Sequence, residues 1–196
     1  MDLLTIIFIG RSGCGKGTQI EKLIDYIKSK DKRGIFHMEA GSRFRSFIKE
    51  GTYASNLAQK INDVGGLQPE FLSIWAWGGE IVRHLKPNQH LLIDGTPRRL
   101  SEAKILDSVF SFFSREKIQV VYLNVSKEWA TDKLSKRGRV DDKDPSYIEE
   151  RMRWFEEGVV PSLNYYRENK NVIFHDINGE HEIEKIHENI VKALGI

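Results

Sequence analysis

A glycine-rich loop at residues 10–19 constrains this chain more than any other part of its sequence. It directly follows residues 3–9, whose unbroken apolar run is typical of a strand buried on both faces. The spaced glycines let backbone N–H groups converge on an anion, the following helix adds its dipole, and Lys16 adds a full positive charge. The loop therefore predicts a cradle for a nucleoside triphosphate, contacted by Gly13, Cys14, Gly15, Lys16, Gly17 and Thr18.

Length and charge narrow the class of protein. We expect the 196 residues to form one domain, 1–196, with small inserts. The net charge of +2 gives no electrostatic footprint for nucleic acid, and the first apolar stretch is too short for a membrane helix or signal peptide. The single cysteine, Cys14, can form no internal disulfide; we interpret it as a small loop residue, with a reactive thiol as the alternative. We expect a cytoplasmic monomer with no nucleic-acid or membrane partner.

Four further strand candidates alternate with helical patterns along the chain. They lie at residues 34–38, 90–94, 118–125 and 171–175. Apolar strands separated by helices favour an α/β fold with a five-stranded parallel sheet and helices on both faces, a three-layer arrangement. Ligands in such sheets bind at the carboxyl ends of the strands, where the glycine-rich loop begins.

A second motif follows the strand candidate at residues 90–94. Asp94 ends the strand, and Gly95, Thr96, Pro97 and Arg98 come next. A carboxylate at that edge can orient the water shell of Mg²⁺. Pro97 stiffens the chain before Arg98, whose guanidinium can bind a phosphate through two parallel hydrogen bonds.

Together these motifs resemble those of the adenylate kinase family of nucleoside monophosphate kinases. Residues 15–19, Gly-Lys-Gly-Thr-Gln, match the family's loop, and its Asp-Gly-Phe-Pro-Arg motif has Thr96 here in place of phenylalanine. The resemblance implies a P-loop fold that binds ATP with Mg²⁺ and a nucleoside monophosphate. It also implies that Mg²⁺ is held largely through water, by Asp94 and weakly by Thr18.

The resemblance further implies an acceptor-binding insert at residues 39–70. Arg45 should grip the monophosphate together with Arg98, while Arg43 is interpreted as a solvated neighbour. Few apolar residues lie between 42 and 64, which favours a mobile flap over an element packed on the sheet. The other acceptor contacts that the resemblance implies are Ala40, Gly66, Leu67, Gln68, Gly95 and Glu102.

Glu102 raises the question of which base is accepted. The family's adenylate kinases carry glutamine at this position and threonine at that of Ala40. A carboxylate offers only acceptors, which suits the adjacent N–H donors of guanine, whereas a glutamine amide suits adenine. The alternative is that Glu102 is a solvated helix residue and the backbone near residues 66–68 reads the base. AMP is the first expectation, and GMP is the alternative.

Residues 133–143 resemble the family's lid in a very short form. Asp144 should cap a helix with Pro145 in its first turn, on which Arg151 lies beside an apolar stripe and Arg153 points away. Lys133 stands where the family has an arginine that stacks on the donor base. The implied catalytic residues are Lys16, Arg98, Arg137, Arg139 and Arg151, of which Lys16 and Arg137, with Lys133, also bind ATP.

Positive charge around a transferring phosphoryl group is what such catalysis requires, so the sequence favours a nucleoside monophosphate kinase. Two other classes have to be weighed against it. A P-loop kinase of small alcohols would share the loop and the short lid, but Arg45 and Arg98 imply an anionic acceptor. A nucleotide sensor without activity could dispense with the arginines of the lid, all of which this chain retains.

Overall fold

The computed structural model describes residues 2–138 and 144–196. Its sheet has five parallel strands in the order β2-β3-β1-β4-β5. The strands are β1 Thr5–Ile9, β2 Ile35–Glu39, β3 His90–Asp94, β4 Ile118–Asn124 and β5 Val172–Asn178. The predicted parallel sheet is confirmed. β5 runs further than expected because it is an edge strand whose exposed polar residues, such as Asn178, hide its strand character in the sequence.

The helices alternate with the strands. They are α1 Lys16–Lys30, α2 Ala40–Ile48, α3 Tyr53–Asn62, α4 Glu70–His84, α5 Leu100–Phe112, α6 Lys127–Arg137, α7 Pro145–Trp154, α8 Val160–Glu168 and α9 Ile183–Leu194. No helix in the described part of the chain is both long and apolar enough to span a bilayer.

The buried core lies in two layers, one on each face of the sheet. Alternate residues of β1 divide between them, so that Ile6 packs toward α1 and α9 while Ile7 packs toward α4, α5 and α8. All five residues of β1 are buried. This arrangement confirms the three-layer fold and explains the unbroken apolar run, since a strand covered on both faces needs apolar residues at every position.

Strand pairing brings the predicted motifs to one edge of the sheet. Asp94 of β3 pairs with Phe8 of β1 on one side and with Glu39 of β2 on the other. The glycine-rich loop starts directly after β1, and α2 starts directly after Glu39. The phosphate loop, Asp94 and the start of the predicted acceptor insert are therefore neighbours through backbone pairing alone.

The predicted insert has a small core of its own. Its buried residues are Phe47 of α2, Ala58 of α3 and Leu72 of α4. Phe44 and Ile48 are partly buried and pack against them. The small core of this segment therefore packs against α4, while Ala40 at the start of α2 packs with residues of the sheet. The boundaries 39–70 and 133–143 and the mobility of the insert stay predictions.

α7 begins as the sequence indicates. The Asp144 carboxylate accepts a hydrogen bond from the Ser146 N–H at 2.9 Å, and Pro145 occupies the first turn. The apolar stripe of Ile148, Met152, Phe155 and Val159 is buried. Its last part, Phe155–Val159, is a π-helical segment rather than the continuous α-helix that the spacing predicts.

A buried histidine joins the start of β3 to the residue that precedes β1. His90, at the start of β3, is fully buried, and its Nδ1 accepts the Leu4 N–H at 3.1 Å. Burial and the nearby charge of Arg33 lower the pKa of His90, although Asp31, 3.5 Å from its Nε2, opposes this. The folded protein therefore holds this ring neutral at pH values where an exposed histidine takes up a proton.

This burial makes stability depend on pH. The unfolded chain protonates His90 near its ordinary pKa of about 6.5, while the folded chain resists protonation, so the free energy of unfolding should fall as the pH drops from 7.5 to 5.5. The slope is at most about 1.4 kcal/mol per pH unit for each proton taken up on unfolding. Urea unfolding at the two pH values measures it. His90→Asn offers an acceptor that does not titrate and should reduce the slope, and an equal slope in this variant would contradict the assignment.

Candidate active site

The loop between β1 and α1 is shaped by close backbone contacts. A Cβ on Gly10 would lie 2.7 Å from the carbonyl oxygen of Leu123, and one on Gly13 would lie 2.6 Å from that of Ala130. Gly13 and Gly15 also have φ of 86° and 90°, a region that only glycine adopts readily. The loop therefore needs glycine at these positions to turn tightly from the strand into the helix.

Lys16 is the first residue of α1 and folds back over the loop. Its Nζ donates hydrogen bonds to the carbonyl oxygens of Gly10 at 2.7 Å and Arg11 at 3.2 Å. Cys14 is buried in the core below, which agrees with a packing role for it. The backbone at Gly15 and Gly17 faces open space. The N–H groups at the start of α1 and the Lys16 ammonium group thus occur together at this loop, which is the combination that a phosphate site requires.

Asp94 is the residue that fits an indirect role in metal binding. Its Oδ1 is buried and has no hydrogen-bond partner among the described residues. Thr18 is exposed on the first turn of α1. In the part of the chain that the structure describes, there is no group of three or more His, Cys, Asp or Glu side chains that could hold a metal ion. Mg²⁺ brought in on ATP phosphates, with Asp94 hydrogen-bonded to its water, agrees with this donor set.

Part of the predicted acceptor set lies at the carboxyl ends of β2 and β3, namely Ala40, Arg45, Gly95 and Arg98. Measured from a Cβ built on Gly95, the Ala40 Cβ and an Nη of Arg98 both lie 3.5 Å away. Arg98 Nε donates to the Gly95 carbonyl oxygen at 2.8 Å, which fixes the direction of its guanidinium. Arg45 donates to Glu39 at 2.7 Å from the adjacent strand end. The two arginines therefore flank the same strand ends.

Arg43 differs from its prediction as a solvated residue. Its guanidinium contacts Glu80 at 3.2 Å and Glu50 at 3.5 Å, and it stacks on Trp75 with 5.2 Å between the guanidinium carbon and the ring centre. These contacts join α2 to α4. Arg43 is a structural link within the insert, while Arg45 is the arginine directed toward the strand ends.

Residues 66–68 lie between α3 and α4, at the end of the predicted insert. Gly66 closes a turn through its N–H bond to Ile61, and Gln68 is buried with its amide donating to the Ala58 carbonyl oxygen at 2.9 Å. The backbone carbonyl of Gln68 accepts a hydrogen bond from Arg99 at 2.8 Å. Leu67, between them, is half-buried.

Glu102 has an environment that neither interpretation of the sequence includes. It is not a solvated helix residue, because its exposed fraction is 0%. Its carboxylate accepts from the Thr96 hydroxyl at 2.9 Å, the Arg98 N–H at 3.0 Å and the Arg99 guanidinium at 3.3 Å, and its contact with a base stays a prediction. The chain itself supplies the donors that the acceptor base was expected to provide.

The lid arginines are described in part. Arg139 lies outside the described residues. Arg137 is exposed at the last turn of α6, and Lys133 lies over the Trp129 ring, 4.7 Å from Nζ to the ring centre. Arg151 is buried on α7, while Arg153 is exposed and paired with Glu150 at 2.6 Å, as the helical-face argument predicts.

Arg98 experiences an unusual balance of charge. Burial lowers its pKa, and the positive charges of Arg151 and Arg99 lower it further, while Glu102 and Asp94 act in the opposite direction. Like charges gathered in a partly buried cleft raise the free energy of the folded chain; Glu102 and Asp94 offset part of this effect, and a bound anion would offset more of it. This part of the cleft is thus suited to bind a phosphate.

Three residues of the site have no signal in the sequence that we recognised. Arg11 donates to the Val125 carbonyl oxygen at 2.7 Å, pairs with Glu156 at 2.5 Å and stacks on Phe155. Trp154 lies against Arg98, 5.2 Å from guanidinium carbon to ring centre, and its Nε1 donates to the Gly65 carbonyl oxygen at 3.2 Å. The third residue is Gly158, whose backbone lies close to the carbonyl oxygen of Arg98.

Comparison with known proteins gives consistent matches. The sequence model of the family described as adenylate kinase matches residues 8–171. A Flavobacterium psychrophilum protein named adenylate kinase is 32% identical over 199 residues, which cover 98% of each chain. A Synechocystis protein named adenylate kinase 1 is 30% identical, over 96% of each chain. A Mycobacterium tuberculosis protein named adenylate kinase is also 30% identical, over 98% of this chain and 99% of its own.

Gly158 generates a prediction about packing. A Cβ at this position would lie 2.6 Å from the Arg98 carbonyl oxygen, a backbone atom that cannot move aside cheaply. Gly158→Ala should therefore lower the free energy of unfolding by about 1–3 kcal/mol. Urea unfolding followed by tryptophan fluorescence measures this change.

Gly78→Ala is the matched control. Gly78 lies inside α4, and a Cβ there would meet nothing within 4 Å. Because alanine favours helices over glycine, this variant should be as stable as the wild type or gain up to about 1 kcal/mol. Equal stability of the two alanine variants would contradict the close contact at Gly158.

Proposed function

Because this chain belongs to the adenylate kinase family, we propose that it transfers the γ-phosphoryl group of ATP reversibly to AMP, forming two molecules of ADP. The family makes it an ATP-dependent phosphotransferase acting on nucleoside monophosphates. AMP as the acceptor is supported by relatives named adenylate kinase at about 30% identity over nearly the whole chain.

One observation carries the roles of the residues. Arg98 lies over the Trp154 ring of α7, 5.2 Å from guanidinium carbon to ring centre, Arg151 is buried on the same helix, and the charge of Arg151 adds to the effect of burial in lowering the pKa of Arg98. Buried like charges are stabilised when an anion separates them. A phosphoryl group in transfer carries its negative charge on oxygens that spread around the phosphorus atom. The pair of arginines is therefore suited to this group better than to a neutral substrate.

The acceptor phosphate would bind between Arg98 and Arg45. Arg45 is held by Glu39, and we propose that the phosphate replaces this carboxylate as its partner. Ala40 and Gly95 lie beside Arg98 and leave room for the acceptor, and the backbone of residues 66–68 would line the pocket for its base. The Glu102 carboxylate already has donors within the chain, so the hydrogen-bond argument for GMP as the acceptor loses its support.

The donor ATP would bind at the glycine-rich loop. Backbone N–H groups of residues 13–18 would hold its phosphates, and Lys16 would exchange its loop carbonyl partners for the outer phosphate oxygens. Bound Mg²⁺ supplies positive charge to those oxygens, with Asp94 orienting its water and Thr18 nearby. Lys133 and Arg137 of α6 would lie on the donor side.

Transfer of the phosphoryl group requires little covalent chemistry from the protein. Lys16, Arg98, Arg137 and Arg151 would orient the two phosphates in line and stabilise the charge of the transition state, with Arg139 as a fifth cation by resemblance. The lid would exclude water that could hydrolyse ATP. All of these groups belong to one chain, which supports a monomeric enzyme. Its nucleotide substrates support the cytoplasm as its location.

The function is tested by measuring ADP formation from ATP with AMP, GMP, CMP and UMP. AMP should give the highest kcat/KM. Lys16→Ala should lower kcat by about a hundredfold or more, because it removes a charge that acts on the transferred group. Lys22→Ala, on the exposed face of the same helix and paired with Glu184, should behave as the wild type. Activity of Lys16→Ala near that of the wild type would refute the loop assignment, and activity with none of the monophosphates would refute the function.

Two arginines on α7 separate catalysis from general surface charge. Arg151→Ala should lower kcat about a hundredfold with a smaller effect on KM, since its partner charge develops during transfer. Arg153→Ala, an exposed neighbour paired with Glu150, should change neither value more than about twofold. Steady-state kinetics with varied AMP and ATP distinguish these outcomes. An equal loss in both variants would show that position on the helix face is not what matters.

A further inference from the structure

The buried carboxylate of Glu102 is a polar group beside the cleft to which the proposed transfer of phosphate gives no role. It lies in the first turn of α5 with an exposed fraction of 0%. One oxygen, Oε2, accepts from the Thr96 hydroxyl at 2.9 Å and from the Arg98 N–H at 3.0 Å. The other, Oε1, accepts from Arg99 at 3.3 Å. A buried carboxylate with donors on both oxygens is a structural hub rather than a free recognition group.

The bonds of this hub lead to the acceptor side of the cleft. Through its N–H, Arg98 is held at the backbone, and its Nε bond to the Gly95 carbonyl then fixes the side chain. Through Arg99, which also donates to the Gln68 carbonyl at 2.8 Å, the hub is joined to the end of the insert. Glu102 thus connects the phosphate-binding arginine to the wall of the pocket for the base.

Thr96 and Glu102 are also the two positions at which residues 94–102 were found to depart from the family pattern. The structure joins these departures by one hydrogen bond between buried groups, since Thr96 is 1% exposed. A hydroxyl donor and a charged acceptor form a strong bond when both are buried. Because each residue provides what the other needs, the two substitutions are explained as a pair rather than separately.

We propose that Glu102 is a positioning residue for the acceptor phosphate, acting with Thr96 through Arg98 and Arg99, and that it does not select the base. This inference rests on the proposed function, because it assigns Arg98 to the acceptor phosphate. It follows that weakening the hub should reduce the affinity for every monophosphate by the same factor. Binding of ATP, which depends on the loop after β1, should be unaffected.

The experiment compares isosteric variants by steady-state kinetics and by calorimetric titration with AMP and GMP. Glu102→Gln removes the charge, and Thr96→Val removes the hydroxyl while keeping the shape of the side chain. Each should raise KM and Kd for AMP about tenfold, the size expected for loss of a buried hydrogen bond to a charged group. KM for ATP and the AMP-to-GMP ratio of kcat/KM should stay within about twofold. The double variant should lose less than the product of the two single effects.

Two further variants serve as controls for this experiment. Thr96→Ser keeps the hydroxyl donor and should retain the wild-type KM for AMP. Glu184→Gln alters an exposed acidic residue in the first turn of α9 and should change nothing. Thermal unfolding of every variant shows whether a loss of affinity accompanies a loss of folded protein.

Several results would overturn the proposal. A tenfold shift of the AMP-to-GMP ratio toward AMP in Glu102→Gln would show that Glu102 contacts the base. A parallel rise of KM for ATP and AMP would show a general structural role, and fully multiplicative effects would show that Thr96 and Glu102 act independently. If the wild-type protein transfers phosphate but Glu102→Gln binds AMP as well as the wild type, only this proposal fails. If the wild type neither binds nor phosphorylates a monophosphate, the proposed function fails with it.

Discussion

The site depends on the parallel pairing of β1 between β3 and β4. Because β1 is buried along its whole length, its register cannot slip without turning apolar residues into the wrong layer of the core. That register sets Phe8 opposite Asp94, and the loop of glycines follows two residues later. Core packing therefore brings the glycine-rich loop and the Asp94 carboxylate to the same edge of the sheet.

Repulsion between the arginines at this edge opposes folding. Nearby carboxylates and aromatic rings limit the cost. Arg98 has Glu102 and Asp94 near its charge and the Trp154 ring against its face. Arg11 is compensated by Glu156 and Phe155, and Arg45 by Glu39. The compensation is uneven: Arg45 has an exchangeable carboxylate at the surface, whereas the backbone of Arg98 is held by a buried one. This difference agrees with an Arg98 that is prepositioned and an Arg45 that changes partners.

Periodicity predicted the sheet, its strands and the face of α7 that carries Arg151, because those features follow from the burial of neighbouring residues in one element. Motif spacing predicted the cradle and Asp94 for the same reason, since each motif is local. The burial of Glu102 and its hydrogen bonds were not predicted because its partners are donors from the turn before α5 and from Arg99, which no period encodes. Arg11 was missed because its partner Glu156 lies 145 residues away in the chain.

The segment that joins α7 to α8 shows why such distant contacts matter for the site. Gly158 lets the π-helical turn approach the Arg98 carbonyl, and Gly65 lets the insert approach the backbone of Tyr147, because a Cβ at either position would lie under 3 Å from backbone atoms. Trp154 lies between these contacts and bonds to the Gly65 carbonyl. α7, which carries Arg151, therefore contacts the predicted acceptor insert through the backbone of Tyr147. Two glycines and one ring thus bring the segment that carries Arg151 close to Arg98, the arginine proposed to bind the acceptor phosphate.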